Sequence, residues 1–276
     1  MKRYKLLIAA FFALAVAASC EEALDLEPRG EALTADQVLN NPGAYTALFA
    51  KVYAGLHLGG QEGGDGNPDI SGIDGGFSNY LRLYWNMQEL STDEAVIAWN
   101  DGTIKDFQRQ TWNDGNEFIR GMYSRISYQI AVANEFLRLS TDANLNTYNV
   151  SAENRTEIVA YREEVRFLRA YSYYHAMDLF GSIGFQDETT DARIPGERYG
   201  RTQLFEYVES ELLDLESSLS APRTNAYGRV DQATAWALLS KLYLNAEVYT
   251  GSARYDKVIT YTEKIISAGY TVDTNA

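Results

Sequence analysis

One cysteine and two histidines in 276 residues remove whole classes of chemistry. A single thiol, Cys20, closes no internal disulfide, and with only His57 and His175 beside it no Cys/His zinc site of the usual spacing can be assembled. Positive charge is also in deficit: 24 Lys and Arg stand against 38 Asp and Glu, a net charge of −14. Residues 1–19 carry only Lys2, Arg3 and Lys5 as charged side chains, so their removal takes three positive charges from −14 and leaves −17. A surface of that sign repels phosphate backbones and anionic headgroups, which excludes nucleic acid and electrostatic membrane binding and favours a neutral ligand. The apolar run Leu6 to Val16 is 11 residues, too short for a hydrocarbon core of roughly 30 Å. What the chain does have is 46% hydrophobic residues, enough for one sizeable core or two modest ones, and 13% aromatics, with 20 Tyr and 4 Trp. Those flat amphipathic faces suit packing between helices or stacking on sugars.

The first segment is an address. A basic start, the short apolar run and the small residues Ala17-Ala18-Ser19 before Cys20 make residues 1–19 a signal peptide. The last four of these resemble the lipobox of bacterial lipoproteins, which implies that Cys20 opens the mature chain with lipid on its sulfur and amino group. Several acyl chains bury many methylenes at about 0.8 kcal/mol each, enough to hold an anchor. Ala17 departs from the Leu or Val common in lipoboxes, so ordinary cleavage leaving a free thiol is the alternative. Residues 20–41 would then be a tether, and its Glu21, Glu22 and Asp25 resemble the export signal of surface-exposed lipoproteins, a solvated linker being the other reading.

Beyond the tether the periodicity is helical. Leu48, Val52 and Leu56 mark a helix over Ala44 to Leu58, and Gly59 to Gly76 is too rich in Gly, Asp and Asn to be anything but a long loop, a candidate binding rim. Tyr80 to Asn86 reads as a short strand or a turn of helix, and Trp99-Asn100-Asp101-Gly102 as a turn. Phe118, Met122, Ile126, Ile130, Ala133 and Leu137 share one helical face, and Ser140 to Ser151 has loop composition. A helix over Arg155 to Phe180 stops at Gly181. The next carries Leu204 to Leu219, opened by Thr202 and closed before Pro222. Asp231 caps a helix through Leu238, Leu242 and Ala246, and Val258, Ile259, Ile265 and Ile266 line the last. A shift of about 70 positions lays Leu168 on Leu238, Tyr173 on Tyr243 and Ala176 on Ala246, as expected for two helix pairs of the tetratricopeptide type. The alternative is a coincidental match of two amphipathic helices. Small residues at Ala170, Ala176, Ala237 and Ala246 would let helices approach closely.

Other motifs carry less. Glu163-Glu164 and Asp93-Glu94 could pose as the carboxylate pair of a glycosidase, but adjacent side chains on a helix diverge by roughly 100° and read as a solvated face. His175 among tyrosines reads as a core histidine. Gly63-Gly64-Asp65-Gly66 has no lysine after it and is no phosphate loop. Asp65, Asn67 and Asp69 resemble a calcium loop without its terminal glutamate. No metal and no cofactor is expected.

The motifs taken in order resemble the SusD/RagB family. They are Leu24-Asp25-Leu26-Glu27-Pro28, Glu89-Leu90-Ser91-Thr92-Asp93-Glu94-Ala95, Tyr123 to Ile130 with Ala133-Asn134-Glu135-Phe136-Leu137, Glu164-Val165-Arg166-Phe167-Leu168-Arg169-Ala170-Tyr171 with Phe180-Gly181, Gly228-Arg229-Val230-Asp231 ahead of Ala235-Trp236-Ala237-Leu238-Leu239-Ser240-Lys241-Leu242-Tyr243-Leu244, and Ile265-Ile266-Ser267-Ala268-Gly269-Tyr270. The resemblance implies a mainly α fold, a tetratricopeptide-like scaffold of helix pairs whose long irregular loops form a binding rim, with residues 42–276 as the N-terminal portion of a family domain about twice as long. It implies a surface-exposed outer-membrane lipoprotein that captures oligosaccharides, catalyses nothing and delivers them to a SusC-like TonB-dependent barrel. By the same resemblance Trp99 is the stacking plane, with Arg82, Asp74 and Asp101 as hydrogen-bonding partners. Two other readings remain: a helical scaffold that binds peptide or protein, and a glycoside hydrolase.

Overall fold

A computed structural model describes residues 35–60 and 67–272; residues 1–34, Cys20 included, 61–66, with Asp65, and 273–276 lie outside the described residues. A first unit ends at Asn41, and its described part is the short helix α1 (Ala35–Leu39). The second unit, from Pro42 onward, holds the rest. Its helices are α2 (Pro42–Ala54), α3 (Tyr80–Glu89), α4 (Lys105–Arg109), α5 (Glu117–Leu139), α6 (Asp142–Thr147), α7 (Ala152–Phe180), α8 (Arg201–Leu215), α9 (Gln232–Leu244), α10 (Ala246–Thr250) and α11 (Tyr255–Ser267). A two-stranded antiparallel ribbon, β1 (Ser182–Phe185) and β2 (Glu197–Gly200), joins α7 to α8. Among the described residues no helix is long and apolar enough to cross a membrane.

The core is built on α7. Asparagine, serine and aspartate start the main helices: Asn116 accepts from Phe118 and Ile119 N–H, Ser151 from Asn154 N–H, and Asp231 from Thr234 N–H. Gly181 ends α7 at φ 73°, in the left-handed region where glycine carries no Cβ penalty. Residues all round α7 are buried, from Val165 and Leu168 to Ala170, Tyr173, Tyr174 and Met177, because helices cover it on several sides. It packs on α2 and α5 and on α8; α8 packs on α9, and α9 on α11. The six apolar residues of α5 named above are all buried. Tyr173 and Tyr243, matched by the repeat, are both buried and use their hydroxyls alike: Tyr173 donates to Gln186 O at 2.7 Å and Tyr243 to Glu209 Oε1 at 2.8 Å. The paired antiparallel helices are the tetratricopeptide-like arrangement the sequence predicts.

Several expectations are corrected. In α2 the inward face is Tyr45, Phe49 and Val52, because Phe49 stacks on Tyr161 of α7 with centroids 4.1 Å apart; Leu48 is half-buried, and so is Leu56, which lies in the turn after the helix. The segment after Ser140 is not all loop: Thr141 accepts from Asn144 N–H and starts α6, which buries Leu145. Thr202 lies inside α8, whose start is secured by Gln203 Oε1 accepting from Gly200 N–H at 3.1 Å. Ala237 is exposed, and Ala233 and Ala235 are the small buried residues of α9. In α11 Ile259 and Ile266 are exposed; only Tyr261 is buried, because α11 has one neighbour, α9, along most of its length. The pairing of β1 with β2 was not legible as strands; it is held by Phe185 stacked on Tyr199 at 4.4 Å.

Glu164 is likewise not on a solvated face. It is buried and accepts from Tyr53 Oη at 2.5 Å, from Asn225 Nδ2 at 3.1 Å and from the Arg229 guanidinium, whose Nε lies at 3.2 Å. The Tyr53 hydroxyl also accepts from Val230 N–H at 3.0 Å. Arg229 in turn lies over the rings of Phe49 and Tyr161, 4.9 and 5.2 Å from their centroids. Its neighbour Glu163 pairs with Arg166 and accepts from Ser218.

Arg125 of α5 holds the long loop. It is buried, donates from Nε to Ser78 O at 2.5 Å and from Nη2 to Gly59 O at 2.6 Å, and reaches Ser78 Oγ at 3.2 Å. Its Nη1 faces Asp69 at 3.7 Å, an ion pair without a hydrogen bond, and Lys51 completes the pairing of Asp69 at 2.9 Å. Burial pulls the guanidinium pKa below its ordinary value and Asp69 opposes the shift. Gln129, one turn on, donates to Val52 O at 2.6 Å.

Two predictions follow from these buried groups. Arg125→Met leaves the Ser78 carbonyl without its side-chain donor, takes from the Gly59 carbonyl one of its two donors and from Asp69 one of its two cations, and should lower unfolding free energy by about 3 kcal/mol or more. Urea denaturation reads it, and a loss below about 1 kcal/mol, ordinary for an exposed pair, would count against the clamp. His175 is buried, shares a 2.9 Å hydrogen bond with Tyr80 Oη, and burial pushes its imidazole down to about 3. The folded chain refuses a proton that the unfolded chain accepts near its ordinary value of about 6.5. This contribution is therefore intact above that pH and falls below it by up to about 1.4 kcal/mol per pH unit until the folded value is reached. His175→Gln should flatten the urea-derived stability profile between about pH 6.5 and 5 relative to wild type; parallel profiles would refute it.

Candidate functional site

Three of the four residues expected at the site are brought together around the start of α3. Asn79 caps that helix by accepting from Arg82 N–H at 2.9 Å. Tyr80, Leu83 and Asn86 turn inward at helical spacing, which leaves Leu81, Arg82 and Trp85 toward the surface. The Arg82 guanidinium donates to Gly76 O at 2.7 Å and lies 5.5 Å from the centre of the Trp99 ring. Asp74 accepts from Gly76 N–H at 2.7 Å, so it tightens the turn whose carbonyl Arg82 holds. Asp74, Gly76, Arg82 and Trp99 thus form one connected set.

The Trp99 segment is fixed by its neighbours. Gln110 donates to Ser91 O and Gln108 to Ala95 O, both at 3.3 Å, so α4 holds the chain running up to the ring. Beyond it, Asp101 O accepts from Ile104 N–H at 2.9 Å and turns the chain toward α4. Asn116 donates to Thr103 O at 3.0 Å, and Glu117 accepts from Thr103 N–H at 3.4 Å. Gly102, at φ 31°, takes a backbone conformation that side-chain-bearing residues rarely adopt.

Trp99 is 60% exposed, which excludes the plug of a core and leaves a ring face available to solvent. Asp101 is half-buried two residues away, and no measured contact joins it to Arg82 or Asp74. The arrangement offers an apolar plane, a donor-only guanidinium and acceptor-only carboxylates, which can hold a polyhydroxylated ligand by stacking and paired hydrogen bonds. Among the described residues no group of three or more His, Cys, Asp or Glu is placed to hold a metal. Asp69, part of the calcium-like alternation, is taken up by Lys51 and Arg125.

The sequence reading missed Trp85, which is 49% exposed and lies three residues from Arg82 on the same face of α3. The signal was the spacing Arg82–Trp85, which has meaning only once the segment is a helix. It also missed Arg125, whose signal was an arginine between Met122 and Ile126 on an otherwise apolar face.

No family model matches the chain. A starch-binding protein SusD from Bacteroides thetaiotaomicron is 37% identical over 232 residues, 83% of this chain and 39% of that protein. A SusD superfamily protein from Parabacteroides distasonis superposes with a TM-score of 0.62 at 21% identity, over 87% of this chain and 47% of its own. A SusD-like protein from Bacteroides fragilis gives 0.62 at 17% identity, over 87% and 40%, and a laminarin-binding SusD-like protein gives 0.59 at 18%, over 83% and 46%. The chain therefore spans less than half the length of these relatives. The sequence relative and the shared helical fold agree, and the chain belongs to the SusD-like family.

Proposed function

We propose that this chain captures neutral oligosaccharides without chemical change, stacking a sugar ring on Trp99 and engaging its hydroxyls through Arg82, Asp74 and Asp101. The observation that carries the reading is the exposed Trp99 ring with a guanidinium over it, held in place by its neighbours. Sugar rings present C–H faces that pack on aromatic planes, and their hydroxyls need both donors and acceptors. The SusD relative is a starch-binding protein and one structural neighbour binds laminarin; both ligands are uncharged, which suits a chain of net charge −14. A glycosidase reading on Glu163 and Glu164 loses its support, because both are committed to arginines and Glu164 is buried.

In this proposal lipid on Cys20 anchors the protein to the outer membrane, facing outward, with residues 20–41 as tether and the helical domain beginning at residue 42. The captured glycan passes to a SusC-like TonB-dependent barrel.

Trp99→Ala tests the capture site. The loss of one stacked ring should cost about 1 kcal/mol or more, roughly a fivefold or larger rise in Kd for malto-oligosaccharide in calorimetry. Unchanged affinity would remove Trp99 from the site.

A further inference from the structure

A cavity of about 200 Å³ lies between the loop that carries Asp74 and the first turns of α5. Its walls are Ile70, Ser71 and Ile73 on one side and Glu117, Arg120 and Ser124 on the other. Gly121 seats the loop against the helix: a Cβ there would come within 2.6 Å of Ile73 Cδ1. Gly72, at φ 76°, makes the turn between the two isoleucines with a backbone that side-chain-bearing residues rarely adopt. The shape is therefore set by two glycines, and the loop's far end is fixed by the Arg125 clamp on Asp69 and Ser78.

The polar groups around this cavity are free to serve a ligand. Among the described residues, no side-chain hydrogen bond or ion pair engages the Arg120 guanidinium, the Ser71 hydroxyl or the Ser124 hydroxyl. Glu117 spends one oxygen on contacts of 3.4 Å with Thr103 N–H. A donor-only guanidinium, an acceptor-only carboxylate and two hydroxyls match a vicinal diol, in which each hydroxyl both donates and accepts. An anion and a cation side by side on α5, Glu117 and Arg120, disfavour an ion of either sign, and the isoleucines of the facing loop give an apolar wall for a C–H face. The volume is below the roughly 300 Å³ at which drug-sized sites begin, which limits the occupant to about one sugar residue.

Two of the segments that line the cavity adjoin segments of the Trp99 site. Ile73 precedes Asp74, and Glu117 holds Thr103, two residues beyond Asp101. We propose that this cavity is a second subsite, taking one neutral sugar residue of an oligosaccharide whose neighbouring residues lie on Trp99, with Arg120 and Glu117 grasping a vicinal diol. The inference rests on the capture reading above and adds chain-length dependence to it.

Calorimetry on the full chain with maltose and maltoheptaose tests it, together with backbone amide shifts. Arg120→Ala, a change at an exposed side chain, should raise the Kd for maltoheptaose by about tenfold, the effect of losing a charged hydrogen bond. It should change the Kd for maltose less and leave the Tm unaltered, and wild-type Gly72 and Ser124 amides should shift on titration. If Trp99→Ala weakens maltoheptaose while Arg120→Ala and Glu117→Gln bind as wild type does, and the two amides stay still, the subsite is wrong and the capture reading stands. If the wild type binds neither that oligosaccharide nor a laminarin oligosaccharide, both fall.

Discussion

A guanidinium inside a protein is tolerable only if its donors and charge are met, and Arg125 meets that demand by seizing the loop rather than another helix. Its bonds to Gly59 O and Ser78 O lie at the two ends of a segment too rich in glycine and asparagine to fold on local propensity. Hydrogen bonds from a buried charge are stronger than neutral ones, so a loop with no regular structure among its described residues acquires fixed ends. Asp74 and Gly76 sit just inside one of those ends, and the Asn79 cap of α3 sits just outside it. Arg82 reaches back from α3 to Gly76 O just inside that end and lies over Trp99.

A second buried charge does for the scaffold what Arg125 does for the rim. Glu164 gathers Tyr53 from α2, Asn225 and Arg229 from the turn ahead of α9, and so joins segments 177 residues apart in the case of Tyr53 and Val230. The stacked rings of Phe49 and Tyr161 lie against the guanidinium of Arg229, which stays partly exposed. Removing Arg229 would strand the buried Glu164 carboxylate, so the network specifies which segments meet as much as it stabilises their meeting.

The helical scaffold was legible wherever one face was apolar at a period near 3.6. The α5 face, the Asp231 cap and the Gly181 stop are all as the sequence predicts. What periodicity could not convey was the fate of polar residues on helices buried on several sides: Glu164 looked solvated because α7 shows no single polar face from which burial could be judged. For the same reason Arg125 escaped notice among Met122 and Ile126. Helix α3 was ambiguous because its aromatic residues favour strands as readily as helices; the Asn79 cap and the inward spacing of Tyr80 and Leu83 decide it. Ile259 and Ile266 were placed in a core by their pattern, but burial depends on a neighbouring element, and α11 packs on α9 with one face.

At the candidate site, Trp99, Arg82 and Asp74 were named through family resemblance, and their contiguity emerges from backbone turns that no periodicity encodes. The central claim is that an exposed ring with Arg82 over it, and with Asp74 on the turn that Arg82 holds, captures a neutral glycan without breaking it. A crystal structure of the protein with maltoheptaose tests this most directly. The account predicts a sugar ring lying on the Trp99 face, its hydroxyls on Arg82, Asp74 and Asp101, and every glycosidic bond intact. A ligand bound elsewhere with Trp99 untouched, or one recovered as shorter fragments, would contradict it.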